Sequence, residues 1–132
     1  MSTLSKENKQ EILDYFGKLV IRFRDSNLDL SMDYATGKSV NQVKAKQYGI
    51  LASLSNEQRE AVDDLLSETI TGTIYDFLEM FEENADEMEL IIIKDGVKYN
   101  MIEISEKMGS EIACYEDNGW IQKYSKIGRF IL

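Results

Sequence analysis

Apolar residues recur at intervals of three and four along much of the chain, which is the period of an amphipathic α-helix. The first such stripe predicts a helix from about Ser5 to Arg24, with Ser5 as its N-cap. The polar stretch at residues 26–29 predicts a stop and a restart, followed by a short second helix that ends at Gly37 in a left-handed conformation. A third, weakly patterned helix is predicted over about residues 40–53.

The strongest helical pattern in the chain begins after Ser55. Ser55 and Gln58 match a capping box, and from there the apolar residues step by three or four until about Glu83. We expect this helix to occupy the middle of the core, and Gly72 to mark a close approach by another backbone or an aromatic ring. Four apolar side chains of this helix are expected to be nearly fully buried, namely Leu66, Ile70, Ile74 and Phe77.

The periodicity changes after residue 86. Two short β-branched and aliphatic runs, Met88–Ile93 and Val97–Ile104, flank the dipeptide Asp95-Gly96, which is the usual signature of a two-residue β-hairpin. Because a lone hairpin is marginally stable in water, it must lie against the helices. The sequence therefore predicts one domain over residues 1–132 with an α+β fold. It is mainly helical, with a long central helix, N-terminal helices and a C-terminal β-hairpin.

Composition restricts the chemistry of the chain. The 132 residues include no histidine, no proline and a single cysteine, Cys114. Histidine-based catalytic triads, histidine-ligated metals, internal disulfides and cysteine-based zinc clusters are therefore excluded. The glycines are too isolated to form a phosphate-binding loop. We expect no enzyme, no catalytic residue and no cofactor, and interpret Cys114 as a small packing residue.

The N-terminal residues are polar and charged, unlike the apolar core of a signal peptide. The longest aliphatic run, Leu90–Ile93, is far shorter than the roughly 20 residues of a membrane-spanning helix. Together with a free thiol, these features predict a cytoplasmic protein that does not associate with membranes.

The net charge of −9 is concentrated in one segment. Residues 51–93 contain twelve acidic residues and a single cation, Arg59, whereas the segments on either side are close to neutral. Such a field repels nucleic acid and anionic lipid. Two interpretations remain open: a solvated helix face that keeps the protein soluble, or a surface that meets a basic partner.

Carboxylate spacing also raises the question of a divalent cation. Paired motifs resembling those of all-α magnesium-dependent nucleotide hydrolases occur at residues 57–60 and 83–86, but one straight helix would separate them by about 39 Å. A tighter set of carboxylates at residues 79–86 is the alternative, although that segment offers no cluster of cations to hold a phosphate. A calcium loop centred on Gly119 would lack both anchoring acids, because Cys114 and Ser125 occupy those positions.

Trp120 lies near two other aromatic residues, Tyr115 and Tyr124. The three residues are interpreted either as an exposed binding platform or, preferably, as a cap on the core.

Three segments carry a resemblance to a known group of proteins: residues 73–83 (TIYDFLEMFEE), 102–105 (IEIS) and 116–125 (EDNGWIQKYS). In that order they resemble small, acidic, uncharacterised bacterial proteins, some of which look like immunity-type partners of toxins. The resemblance covers roughly residues 50–126 and brings no catalytic residues with it. It implies a bacterial cytoplasmic protein and points to no particular activity.

The leading hypothesis is a non-enzymatic binding protein, in its sharper form an immunity-type inhibitor whose acidic helix covers a basic toxin. A small magnesium-dependent nucleotide hydrolase and a homo-oligomeric structural module are the alternatives, and the sequence leaves the oligomeric state open. The expected partner is a basic protein rather than nucleic acid. The residues expected to contact it are Glu79, Glu82, Glu83, Asp86, Glu87 and Trp120.

Overall fold

The computed structural model describes residues 5–38, 40–112 and 118–128. The helices are α1 (Lys6–Thr36), α2 (Gln42–Tyr48), α3 (Asn56–Glu83), α4 (Met101–Ile104) and α5 (Trp120–Tyr124). Two 3₁₀ segments, Gly49–Ser53 and Met108–Glu111, and two strands, β1 (Ile91–Lys94) and β2 (Val97–Asn100), complete the described elements. The fold is α+β and mainly helical, as the sequence predicts.

Helix α1 begins and ends where the sequence predicts but is continuous between those points. The Ser5 hydroxyl accepts a hydrogen bond from the Asn8 amide at 3.1 Å, and Gly37 ends the helix with φ of 75°. The predicted break near Asn27 is wrong. Leu28 is fully buried there, and the Asn27 amide donates to the Phe23 carbonyl within the helix. Tertiary packing thus outweighs the weak helix propensity of the polar residues around it.

The predicted helix over residues 40–53 is correct only in its first half. The Asn41 side chain caps α2 by accepting hydrogen bonds from the amides of Val43 and Lys44. From Gly49 the chain tightens into a 3₁₀ helix. Glycine has a low helix propensity, and helices often end in such tightened turns.

Helix α3 has the predicted bounds. Both capping-box bonds form, because the Ser55 hydroxyl accepts from the Gln58 amide at 3.1 Å and the Gln58 side chain accepts from the Ser55 amide at 2.9 Å. Helices α1 and α3 run side by side in opposite directions, since Arg59 reaches the Ala35 carbonyl while Arg24 reaches residues 67 and 71.

The core lies mainly between α1 and the chain after residue 100, instead of around α3. Only Leu78 of α3 is among the fully buried apolar side chains, whereas α1, α4, the second 3₁₀ helix and α5 supply most of the others. The expected burial of the four central apolar residues of α3 is wrong. Leu66, Ile70 and Ile74 are half-buried, and Phe77 is 56% exposed. The apolar stripe of α3 is wider than the surface that covers it.

The hairpin forms at the predicted turn. Strands β1 and β2 pair antiparallel, with Ile92 opposite Tyr99, and the turn residues Asp95 and Gly96 have φ of 53° and 78°. These positive values at both positions are those of a type I′ turn. The second strand is shorter than predicted, because the Asn100 side chain caps a new helix by accepting a hydrogen bond from the Ile102 amide.

The close approach expected at Gly72 is found at Gly17 instead. A Cβ built at Gly72 meets no atom of the described residues within 4 Å, while a Cβ at Gly17 would lie 2.5 Å from the Trp120 Nε1 atom. None of the described helices is both long enough and apolar enough to cross a membrane.

Candidate protein-binding surface

The acidic residues expected to meet a partner lie at the C-terminus of α3 and in the turn that follows it. We call the group Glu79, Glu82, Glu83, Asp86 and Glu87 the acidic end. Glu79 accepts a hydrogen bond from the Tyr75 hydroxyl at 2.8 Å, and Glu82 accepts one from the Gly109 amide at 3.3 Å. The other three side chains are exposed to solvent. The chain therefore anchors two carboxylates of the group and presents three.

The pKa of the Tyr75 hydroxyl responds to the acidic residues of this surface. Its hydrogen bond to Glu79, supported by burial and by the nearby charges of Glu79, Glu82 and Asp76, raises the pKa of the Tyr75 hydroxyl above its ordinary value. A phenolate here would add negative charge to a surface that already carries it.

Among the described residues, no cation forms an ion pair with the acidic end. Arg59, the single cation of residues 51–93, donates to the carbonyl oxygens of Ala35 at 3.4 Å and Leu51 at 2.9 Å. These carbonyls lie near the C-terminus of α1, where a positive charge is favourable. Because Arg59 precedes Glu79 by twenty residues of one helix, it lies about 30 Å from the acidic end.

The position of the acidic end also opposes the helix dipole. The last turn of α3 contains no basic residue, and its acidic side chains sit at the negative end of the dipole. Such placement costs roughly 0.3–1 kcal/mol per charge at low ionic strength. The exposed carboxylates Glu83, Asp86 and Glu87 therefore do not stabilise this end of the helix, whereas Glu79 and Glu82 each accept a hydrogen bond.

The paired carboxylate motifs do not converge. Glu57, Glu60 and Glu83 lie on one uninterrupted helix, with Asp86 in the turn just beyond it. No group of three or more acidic, histidine or cysteine side chains in the described parts of the chain is placed to hold a metal ion. The calcium-loop frame at residues 114–125 and the residues Cys114 and Tyr115 fall partly or wholly outside the described residues.

Trp120 is not part of any binding surface. It is 1% exposed, and its ring packs edge-on against Phe16 with centroids 5.7 Å apart. The interpretation of Trp120 as a cap on the core is confirmed, and its assignment as a partner-contacting residue is wrong. An indole packed against the bare backbone of Gly17 has no free face to offer a partner.

The fold buries the guanidinium of Arg24 within a network of hydrogen bonds that the sequence did not predict. Arg24 is fully buried and donates to the hydroxyls of Thr71 (2.9 Å) and Ser67 (3.0 Å), to the Gly128 carbonyl (2.6 Å) and to Asp25 (2.8 Å). Burial lowers the pKa of the Arg24 guanidinium, and Asp25 opposes that shift. A signal was present: Arg24 lies three residues after Ile21 and four before Leu28, on the buried stripe of α1.

A basic groove lies beside this network on the outer side of α1. It has a volume of about 550 Å³ and is lined by four cations and two acids, namely Lys18, Arg22, Lys123, Lys126, Asp25 and Asp29, among other residues. Asp25 accepts hydrogen bonds from the Ser125 hydroxyl at 2.8 Å and from the Lys126 amide at 2.9 Å. The net negative molecule thus has a separate surface on which cations gather.

No curated protein and no solved structure matches the chain. A model for a family of unknown function (DUF6547) matches residues 9–120, which span α1 to the start of α5. The match covers most of the chain, and the chain therefore belongs to this family.

Proposed function

We propose that this is a non-enzymatic binding protein that docks a basic protein on its acidic end. The proposal rests on one observation: the carboxylates at the C-terminus of α3 lie about 30 Å from Arg59, which is the only cation of residues 51–93 and is turned towards α1. A cluster that forms no ion pair with the described residues and whose exposed charges oppose the helix dipole is better explained by an external cation than by stability.

The chemistry of the partner follows from the charge. An acidic surface accelerates encounter with a basic protein by about tenfold or more at low salt, and it competes with nucleic acid for that protein. An immunity-type inhibitor that covers the basic active site of a toxin would use both effects. This form of the proposal is also supported by the resemblance of residues 73–83, 102–105 and 116–125 to a group of small bacterial proteins, some of which look like immunity-type partners of toxins.

An apolar side chain next to the acidic end supplies contact area. Met88, which directly follows Glu87, is 36% exposed. Charges mainly set the association rate and specificity of a complex, whereas desolvated apolar anchors dominate its affinity. The surface combines both kinds of group.

The test replaces four acids of this surface by glutamine: Glu79, Glu82, Glu83 and Glu87. Glutamine keeps a side-chain oxygen that can accept the Tyr75 and Gly109 hydrogen bonds, and it nearly keeps helix propensity. The matched control removes the same number of exposed carboxylates outside the acidic end, as Asp29→Asn, Asp33→Asn, Glu57→Gln and Glu68→Gln. Each protein is immobilised and used to capture proteins from a lysate of the source organism.

We expect the wild type and the control to retain the same basic protein, identified by mass spectrometry. Its purified form should associate about tenfold more slowly with the acidic-end variant at 50 mM salt, and this difference should shrink at 300 mM salt. Equal rates for the variant and the wild type at both salt concentrations would overturn the proposal. So would retention of no basic protein by the wild type.

A further inference from the structure

The described residues cover the apolar face shared by α1 and α3 only in part. On α1, Ile12 and Phe23 lie three helical turns apart and point in the same direction, yet Ile12 is 3% exposed and Phe23 is 60% exposed. On α3, Phe77 is 56% exposed while Phe81, one turn later, is half-buried. The same apolar stripe is thus covered near the hairpin and open further along.

The other end of the stripe is covered as well. Tyr48 and Leu51, from α2 and the first 3₁₀ helix, face Val62 and Leu66 across a small cavity of about 180 Å³. Between the two covered ends lies an opening about three turns long. We call it the apolar window and define it by Phe23, Asn27, Ile70, Thr73, Ile74 and Phe77.

The window contains both a protruding ring and a recess. Phe23 stands at the edge of a groove of about 380 Å³ that runs between the two helices and is floored by Ile70 and Ile74. Its remaining lining is Asn27, Ser31, Thr69 and Thr73, together with Arg24, whose charge is directed into the buried network. The recess is therefore uncharged and large enough to take an aromatic ring.

We infer that the apolar window is the interface of a homodimer, in which Phe23 of each copy enters the groove of the other. In an isologous dimer the same surface of both copies is in contact. A protruding ring and a recess on that one surface therefore allow the ring of each copy to enter the recess of the other. Phe23 and Phe77 expose about 230 Å² per copy, taking a phenylalanine side chain as roughly 200 Å². The two copies would bury about 460 Å² from these rings alone, roughly a third of a standard interface, so we expect a weak dimer that dissociates on dilution.

The charges on the rims of the window favour a second copy. The Arg22 guanidinium lies 5.5 Å from the Phe23 ring, so one rim carries a cation. Asp76 lies on the solvent-facing rim of α3, four residues after Gly72. The bonds from Arg24 to residues 67 and 71 place Arg22 and Asp76 within about one helical turn of the same level. With a two-fold axis parallel to the helices, α1 of each copy lies over α3 of the other, and Arg22 faces Asp76 of the second copy.

Sedimentation velocity of the full chain from 1 µM to 1 mM tests the interface. Phe23→Gln should weaken self-association by about tenfold or more. Because Phe23 is exposed in the single copy, the thermal unfolding midpoint at 1 µM should stay close to that of the wild type. The matched control is Leu65→Gln, which removes a side chain that is 62% exposed on α3 outside the window and should leave self-association unchanged. The acidic-end variant should dimerise at least as well as the wild type, which separates this inference from the proposed function.

A charge exchange tests the arrangement without touching the apolar residues. Arg22→Glu and Asp76→Arg should each weaken the dimer, and the double variant should recover most of the loss. A wild type that remains monomeric at 1 mM would overturn the inference. A Phe23→Gln variant that dimerises like the wild type would also overturn it, and a double variant weaker than either single one would overturn the arrangement.

Discussion

The indole of Trp120 lies against the backbone of Gly17 so closely that a Cβ at Gly17 would stand 2.5 Å from Nε1 and 2.6 Å from Cδ1. The indole is 1% exposed, and its Nε1 has no hydrogen-bond partner among the described residues. Contact with α1 is therefore the main stabilisation that this ring provides. The absence of a side chain at residue 17 lets α5 approach α1.

This contact predicts opposite effects for two helical glycines. Gly17→Ala should destabilise the protein by about 1–2 kcal/mol, because overpacking against Trp120 exceeds the gain in helix propensity. Gly72→Ala should stabilise it by about 0.5–1 kcal/mol, since its Cβ meets open space. Urea denaturation of both variants measures the difference. Similar changes of the same sign would show that the indole does not hold this position.

The burial of the Arg24 guanidinium predicts that the loss of a single hydroxyl group bonded to it lowers the free energy of unfolding markedly. Thr71→Val keeps the shape of the side chain but leaves the Arg24 Nε–H without its acceptor, so we expect a loss of about 1–3 kcal/mol. Thr73→Val is the control, because the Thr73 hydroxyl is exposed and, within the described parts of the chain, bonds only to the Thr69 carbonyl of its own helix. That change should stay within about 0.5 kcal/mol. Equal costs would mean that the hydroxyl of Thr71 is not needed by Arg24.

The position of the core predicts a gradient of sensitivity along α3. Leu78→Ala should cost about 2–5 kcal/mol as a fully buried truncation, while Leu66→Ala should cost clearly less because its side chain is half-buried. Leu65→Ala, at 62% exposure, provides the baseline. Thermal unfolding of the three variants gives the order directly. A larger loss of stability for Leu66→Ala than for Leu78→Ala would mean that the core lies around the middle of α3 and not near Leu78.

The surroundings of Asp14 predict that the stability of the fold decreases when the pH is lowered. Burial works against its carboxylate, but hydrogen bonds from Gln10 and Tyr124 and the charge and hydrogen bond of Lys123 outweigh it, so the pKa of Asp14 is lowered. The folded state therefore binds this proton less readily than the unfolded chain. The stabilisation is complete above the unfolded pKa of about 4 and is lost as the pH falls through the folded value.

The measurement compares the urea midpoints of the wild type and Asp14→Asn between pH 7 and pH 2. Their difference should be largest near neutral pH and shrink below about pH 4. Asp29→Asn, which removes an exposed carboxylate, is the control. A difference for Asp14→Asn that stays constant over the whole range would contradict the assignment.

Magnesium should have little effect on stability. A ligand that binds the folded state raises its stability by RT ln(1 + [L]/Kd), so a true site would show a clear upward shift of the melting temperature at millimolar magnesium. We expect almost none from the acidic end. A rise in melting temperature that magnesium causes in the wild type but not in the variant with four glutamines at the acidic end would support a magnesium-dependent hydrolase instead.

The sequence by itself was sufficient wherever the signal is local. The Ser5 cap, the Gly37 terminus, the capping box at Ser55 and the Asp95-Gly96 turn form as predicted, because each depends on bonds or backbone angles within a few residues. The concentration of acids in one segment is likewise a property of the sequence alone.

Tertiary structure decided everything that depends on which face of a helix is covered. The polar stretch at residues 26–29 remains helical because Leu28 is buried by distant residues, and Arg24 lies in the core because Ser67, Thr71 and Gly128 happen to meet it there. Periodicity locates an apolar stripe, but the partner that covers it comes from elsewhere in the chain or from another molecule. For that physical reason the stripe of α3 was predicted correctly, whereas its burial was not.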